Sequence, residues 1–223
     1  MALILNIETA TTNCSVSLSK NGETLILKED YGANYSHAER LHVYIDDVLK
    51  EAKVRREDIE AIAISKGPGS YTGLRIGVSS AKGLCYALDI PLVSVATLTA
   101  LAYQVNVNEG CIVSMLDARR MEVYSAVFDS NHKQIRDTQA QILEADAFHN
   151  YLEKGKVYFI GNGVHKTKTL INHPNAVFIE GKLPSANEMS ALAFNKFKIS
   201  DMEDVAYFEP YYLKDFVALK PKS

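Results

Sequence analysis

No stretch of this 223-residue chain approaches ~20 consecutive apolar residues, so nothing in it is built to cross a bilayer as a helix. It also lacks a basic leader with an A-x-A cleavage site. Residues 1–5 are apolar but lead straight into a strand pattern, which argues against secretion and for a cytoplasmic protein. Cysteine is scarce. Cys14, Cys85 and Cys111 are odd in number, far apart and each set in an apolar stretch, the pattern of small core residues in a reducing compartment. An excess of positive charge is missing too: 24 Lys and Arg against 27 Asp and Glu leave −3, which excludes a protein whose whole field draws in nucleic acid. The clusters Lys53-Arg55-Arg56 and Lys214, Lys220, Lys222 read as solvated surface. No Gly-Lys-Ser/Thr, GxGxxG or HExxH spacing occurs, so generic phosphate-loop and zinc-protease readings have little to stand on.

What is present is an α/β order that occurs twice. Leu3–Glu8, Cys14–Ser19 and Thr24–Lys28 alternate or run apolar at strand length, and Asn21-Gly22 joins the last two as a hairpin signal. Ser36 and Glu39 form a capping box ahead of Leu41, Tyr44, Ile45, Val48, Leu49 and Ala52, whose spacing predicts an amphipathic helix over 36–52. A strand at 61–65, a helix at 72–88 and a strand at 92–95 complete β-β-β-α-β-α-β. From residue 111 the order recurs: strands at 111–117, 122–128 and 133–142, a helix near 144–153, a strand at 157–160, a helix near 164–172 and a strand at 177–179. A last helix is capped by Ser185-x-x-Glu188. With no linker between them, residues 1–105 and 106–223 are expected to be two closely packed copies of one unit, although their residues do not repeat.

The densest signal is Gly67-Pro68-Gly69-Ser70-Tyr71-Thr72-Gly73-Leu74-Arg75-Ile76-Gly77, set between the strand 61–65 and the following helix. Such a turn leaves backbone N–H groups at a helix N-terminus, where they can meet an anion or a partner. Ser70, Tyr71 and Thr72, with Thr9 at the end of the first strand, are the candidate cofactor contacts, but no base stands at a spacing that marks nucleophilic catalysis. Asn6-Ile7-Glu8-Thr9-Ala10 occupies the place where nucleotide-binding proteins of the actin and sugar-kinase type carry Asp-x-Gly-Thr. An amide is a poor ligand for a hard cation, and a glutamate in that turn repels phosphate. An ATP-dependent phosphotransferase of the sugar-kinase type therefore stands only as the alternative reading. His37 and His42 are five apart, on different faces of their helix, and the other histidines lack ligand spacing, so no metal is expected. Gly161-Asn162-Gly163 is either a second glycine turn facing a cleft between the copies or simply a turn.

Taken together, Ile7-Glu8-Thr9-Ala10, the run Gly67 to Gly77, Leu116-Asp117-Ala118-Arg119 with Glu122-Val123-Tyr124, and Pro210-Tyr211-Tyr212-Leu213-Lys214 resemble the TsaB family, bacterial subunits of tRNA threonylcarbamoyladenosine biosynthesis. The resemblance runs in the same order over essentially the whole chain. It implies a duplicated α/β fold of actin/ribonuclease H-like, ASKHA-type β-β-β-α-β-α-β units. It implies a non-catalytic subunit without a cofactor, the partner of TsaD, which transfers a threonylcarbamoyl group from its AMP adduct to the adenosine beside the anticodon. The ATPase TsaE joins them, and tRNA is met only through the complex. TsaD carries His-x-x-x-His metal ligands at the start of the helix after the fifth strand. Here that place reads Val95-Ala96-Thr97-Leu98-Thr99-Ala100-Leu101, without a histidine, which favours the partner over the transferase and over a peptidase-like reading. In the family the two helices of the first half bundle with the matching pair of TsaD, or with a second copy when the subunit is alone. On this chain the interface is expected at His42, Asp46, Gly73, Arg75, Gly77, Val78, Ser79, Ala81 and Lys82, where small side chains allow close helix approach.

Overall fold

The computed structural model describes residues 2–31 and 37–214, so the predicted cap Ser36 and the lysines Lys220 and Lys222 lie outside the described residues. The first unit runs β1 (Leu3–Glu8), β2 (Cys14–Lys20), β3 (Glu23–Asp30), α1 (His37–Ala52), β4 (Ala61–Ser65), α2 (Tyr71–Leu88), β5 (Leu92–Val95) and α3 (Thr97–Ala102). The second runs β6 (Cys111–Asp117), β7 (Glu122–Asp129), β8 (Gln134–Ile142), α4 (His149–Leu152), β9 (Val157–Ile160), α5 (Val164–Lys168), β10 (Ala176–Ile179) and α6 (Ala186–Lys198). Each makes a five-stranded sheet on one plan: β3-β2-β1-β4-β5 and β8-β7-β6-β9-β10. In both, the first three strands pair antiparallel and the last two join parallel. This is the duplicated actin/ribonuclease H-like arrangement.

The alternation of side chains along the strands sends Leu5 and Ile7 to one face of the first sheet and Ile4, Asn6 and Glu8 to the other. Leu41, Ile45, Val48 and Leu49 of α1, with Val78, Ala81 and Cys85 of α2, close the Leu5/Ile7 face. Burial of each large aliphatic side chain there contributes about 1.5–3 kcal/mol relative to exposure. The opposite face is covered by α6, whose Ala186, Met189 and Ala193 meet Ile4, Ala63 and Val93. Conversely, α3 lies on the second sheet, where Leu98 and Leu101 join Ile112, Leu116 and Phe128. Each unit thus has its last helix on the other unit's sheet, which ties the two halves by burial.

Local expectations were met at the strands and modified at several helix ends. The predicted helix near 144–153 is reduced to α4, because Phe148 takes a left-handed backbone (φ 64°) that interrupts it. The helix near 164–172 stops at Lys168. At α6 Ser185 accepts from the N–H of Asn187, while the Glu188 carboxylate is taken by the amides of Asn187 and Gln104, so the capping box there is only half formed. The helix α3 is too short to show an apolar period, and the periodicity of the sequence did not predict it.

Candidate partner interface

The loop after β1 and the glycine run lie against each other. Ser70 N donates to Ala10 O at 2.7 Å, and the Ser70 hydroxyl caps α2 by accepting from Gly73 N. A Cβ at Gly73 would sit 2.2 Å from Thr9 O, and one at Gly77 would sit 2.2 Å from Thr9 Oγ1 and 3.1 Å from Ile64. These glycines exist to let the Thr9–Ala10 loop approach the helix. The turn's polar groups are used in packing, and they are not gathered into a phosphate cradle.

The four cofactor candidates do not converge. Thr9 is fully buried with its hydroxyl unpartnered, Ser70 serves as the helix cap, Tyr71 packs against Tyr212, and Thr72 faces solvent. Asn6 and Glu8 are sealed as well. The Asn6 amide donates to Ser17 and Ser19 at 3.0 Å. Glu8 Oε1 accepts from Ala10 N at 2.6 Å and from the Ser65 hydroxyl at 2.8 Å, whereas its Oε2 has no partner. Burial raises the Glu8 carboxyl from its ordinary 4.5 to about 7, outweighing those hydrogen bonds.

The predicted interface residues divide by the face of the helix on which they stand. Gly73, Gly77, Val78 and Ala81 point inward and are buried in the chain's own core, which corrects any reading of them as surface. His42, Arg75 and Ser79 face outward. Asp46 is half-buried and ion-paired with Arg56. His42 Nε2 lies 3.4 Å from the Ser80 hydroxyl, so α1 and α2 stand side by side and offer one surface. That surface also includes Val43 (53% exposed), Tyr86 (88% exposed) and Gly83, above which there is open space.

A feature not foreseen is a C-terminal strap. Glu203 N donates to Leu92 O, Val205 and Phe208 pack on the first core, and Tyr211 N donates to Lys66 O at 2.7 Å. Lys82 donates to the carbonyls of Ala206 and Phe208, and Arg75 stacks over Tyr71 and hydrogen-bonds the Tyr212 side chain. Lys214 ends the described segment with an ion pair to Glu122 of β7. Arg75 and Lys82 are therefore already engaged within the chain. The only sequence signal was the motif Pro210 to Lys214, which carried a resemblance but no position.

The histidines have ordinary partners. His37 hydrogen-bonds Thr11 O at 2.7 Å in the core, and burial lowers its pKa. His132 bonds Val105 O, and His149 and His173 lie near Glu153. Burial pushes the Cys14 and Cys85 thiols up to about 12 and Cys111 to about 11. The segment that the resemblance sets opposite TsaD's metal ligands forms α3, whose Thr97, Leu98, Ala100 and Leu101 are buried, and these residues do not fit a metal.

The fold and this surface define a duplicated actin-like protein whose two long helices stand side by side and expose one shared surface. A profile described as "TsaD: tRNA N6-adenosine threonylcarbamoyltransferase" matches residues 31–221. The chain is 30% identical to the tRNA threonylcarbamoyladenosine biosynthesis protein TsaB of Escherichia coli K12, over 97% of this chain and 96% of that one. It superposes on YeaZ from Pseudomonas aeruginosa with a TM-score of 0.82 and 26% identity, over 96% of this chain and 100% of the other. A tRNA N6-adenosine threonylcarbamoyltransferase of Bacillus thuringiensis is 35% identical over 116 residues, which is 45% of this chain but 34% of that enzyme. The chain belongs to the TsaB family of tRNA threonylcarbamoyladenosine biosynthesis proteins.

Proposed function

We propose that this chain is a non-catalytic, activating subunit that docks a TsaD-type transferase through the α1–α2 surface, works with TsaE, and self-associates through the same surface when alone. The observation that carries the reading is the stripe of His42, Val43, Ser79, Gly83 and Tyr86, which two long helices expose beyond what their core contacts need. A glycine in mid-helix with open space above it lowers helix propensity and gives the free chain nothing in return, but it admits a partner helix at close range. The enclosure of Asn6, Glu8 and Thr9 supports a scaffold role, since the groups that would handle a phosphate in this fold are consumed by packing.

Size-exclusion co-elution with the TsaD subunit of the same organism tests this. Ser79→Glu and Gly83→Glu should abolish co-elution and the self-associated form while thermal melting stays within about 0.5 kcal/mol of wild type, as surface changes do. Both variants co-eluting fully would refute the assigned surface. ATP turnover by the chain alone with a small hydroxylated substrate would favour the sugar-kinase alternative.

A further inference from the structure

The turn between β6 and β7 carries two consecutive arginines in left-handed backbone, Arg119 (φ 68°) and Arg120 (φ 48°). Side chains disfavour that region, and Gly or Asn are the residues that adopt it readily. The surroundings hold the turn rigidly. Ala118 N donates to Glu122 O, Glu122 N to Arg119 O, and Arg119 N to Asp117 Oδ1 at 2.6 Å. Lys166 reaches in to hold Arg120 O, Glu122 O and Asp117 Oδ1 together. A strained, well-anchored turn that presents bulky charged residues is a feature that packing alone does not call for.

Charge bookkeeping around the turn is one-sided. The chain has seven arginines. Arg40, Arg55 and Arg56 each pair with an aspartate, Arg75 is engaged by Tyr71 and Tyr212, and Arg136 by Ser125, Gln141 and Phe148. Among the described residues, no hydrogen bond or ion pair takes up either guanidinium of Arg119 or Arg120, and both are exposed. The carboxylates that flank them are already neutralised, Asp117 by Lys166 and Glu122 by Lys214. Lys214 in turn joins this turn to the strap, which also sets Tyr212 against the Tyr71 ring. Two consecutive guanidinium forks carried on one anchored turn, with the neighbouring carboxylates already paired, suit successive phosphates of a polynucleotide better than a single carboxylate.

We infer that the Arg119–Arg120 turn is a contact for the phosphodiester backbone of RNA, and that this subunit itself touches the tRNA. This deepens the proposed role in a tRNA-modifying assembly and rests on that reading, but its test does not need the partner. Fluorescence anisotropy of labelled tRNA, titrated with the full chain at stepped salt both alone and with the TsaD subunit, should give a salt-dependent affinity. Arg119→Gln with Arg120→Gln should weaken binding about tenfold at low salt and lower the salt slope by about 1 to 2. Arg119→Asn with Arg120→Gly should do the same while melting no earlier than wild type, because these residues accept the left-handed backbone. A structural role would predict the opposite pairing. The inference is overturned if the Asn-Gly variant binds tRNA with wild-type affinity and slope, or if the wild-type chain shows no tRNA binding alone or with the partner. It is overturned also if the turn variants lose only binding to polyglutamate, which would assign the surface to an acidic protein. Failure of co-elution with the TsaD subunit bears on the partner reading and leaves the anisotropy of the chain alone to decide this one.

Discussion

The two units share one strand plan and differ in what covers it. In the first, α1 and α2 run 16 and 18 residues, while their counterparts α4 and α5 run 4 and 5. Both sets close a core, so the short pair shows how little helix the sheet requires and the long pair shows an excess. That excess is the exposed stripe of the proposed interface. The inner faces differ too. The face of β1 under α6 carries Ile4, Asn6 and Glu8, whereas the face of β6 under α3 carries Ile112, Ser114 and Leu116. Leucine thus stands in the second unit where the first holds a fully buried carboxyl. The buried polar groups of the first unit serve as hydrogen-bonded packing, with Ser15, Ser17, Ser19 and Ser190 around them.

The comparison breaks most sharply at Gly77. Gly77→Asp places a charged side chain against Thr9 and Ile64 in the first core, so the loss should exceed about 4 kcal/mol and appear as a collapse of the thermal transition. The outward Ser79→Glu, two residues away, should leave melting unchanged. If both variants melt alike, the inward and outward faces of α2 have been misassigned.

Glu8 separates the units by pH. Below pH 4.5 the carboxyl is protonated whether the chain is folded or not. Between 4.5 and about 7 the unfolded chain ionises while the folded chain keeps its proton, so stability falls as pH rises through that window, by on the order of 3 kcal/mol in all. Urea denaturation of Glu8→Gln should show that slope flattened between pH 5 and pH 8. A slope equal to wild type would mean that another group carries it.

The strap gives the smallest effects. Phe208→Ala removes a half-buried ring from the first core and should cost about 2 kcal/mol in urea denaturation. Lys214→Met breaks only the exposed ion pair to Glu122 and should cost under about 0.5 kcal/mol. Equal losses for the two would show that the strap is held by charge and not by burial.

Much of this fold was legible because its signals are local. The apolar run Ala61 to Ser65 and the period of Leu41, Ile45, Val48 and Leu49 each require one kind of element whatever surrounds them. At the candidate site legibility fell. The glycine run was visible as a special turn, but a glycine that admits a phosphate and one that admits the Thr9 backbone look alike in sequence. Gly73 and Gly77 were read as open to a partner because small residues stand on both sides of α2, and only the neighbour on each side distinguishes them. Arg75 and Lys82 were expected at a partner interface because the strap that binds them lies more than 100 residues later.

By itself, then, the sequence determined the strands, the long amphipathic helices, the repeated order and the absence of a spacing for metal or nucleophile chemistry, since these follow from periods of two and 3.6 and from short-range residue identity. Only the tertiary structure decided that α3 and α6 lie on each other's sheets, that Glu8 is sealed away from water, that the strap takes Arg75 and Lys82, and that Arg119 and Arg120 have no partner among the described residues. Each of these depends on which surfaces meet across long sequence separations, where burial and ion pairing are set by the partner surface and not by the residue alone.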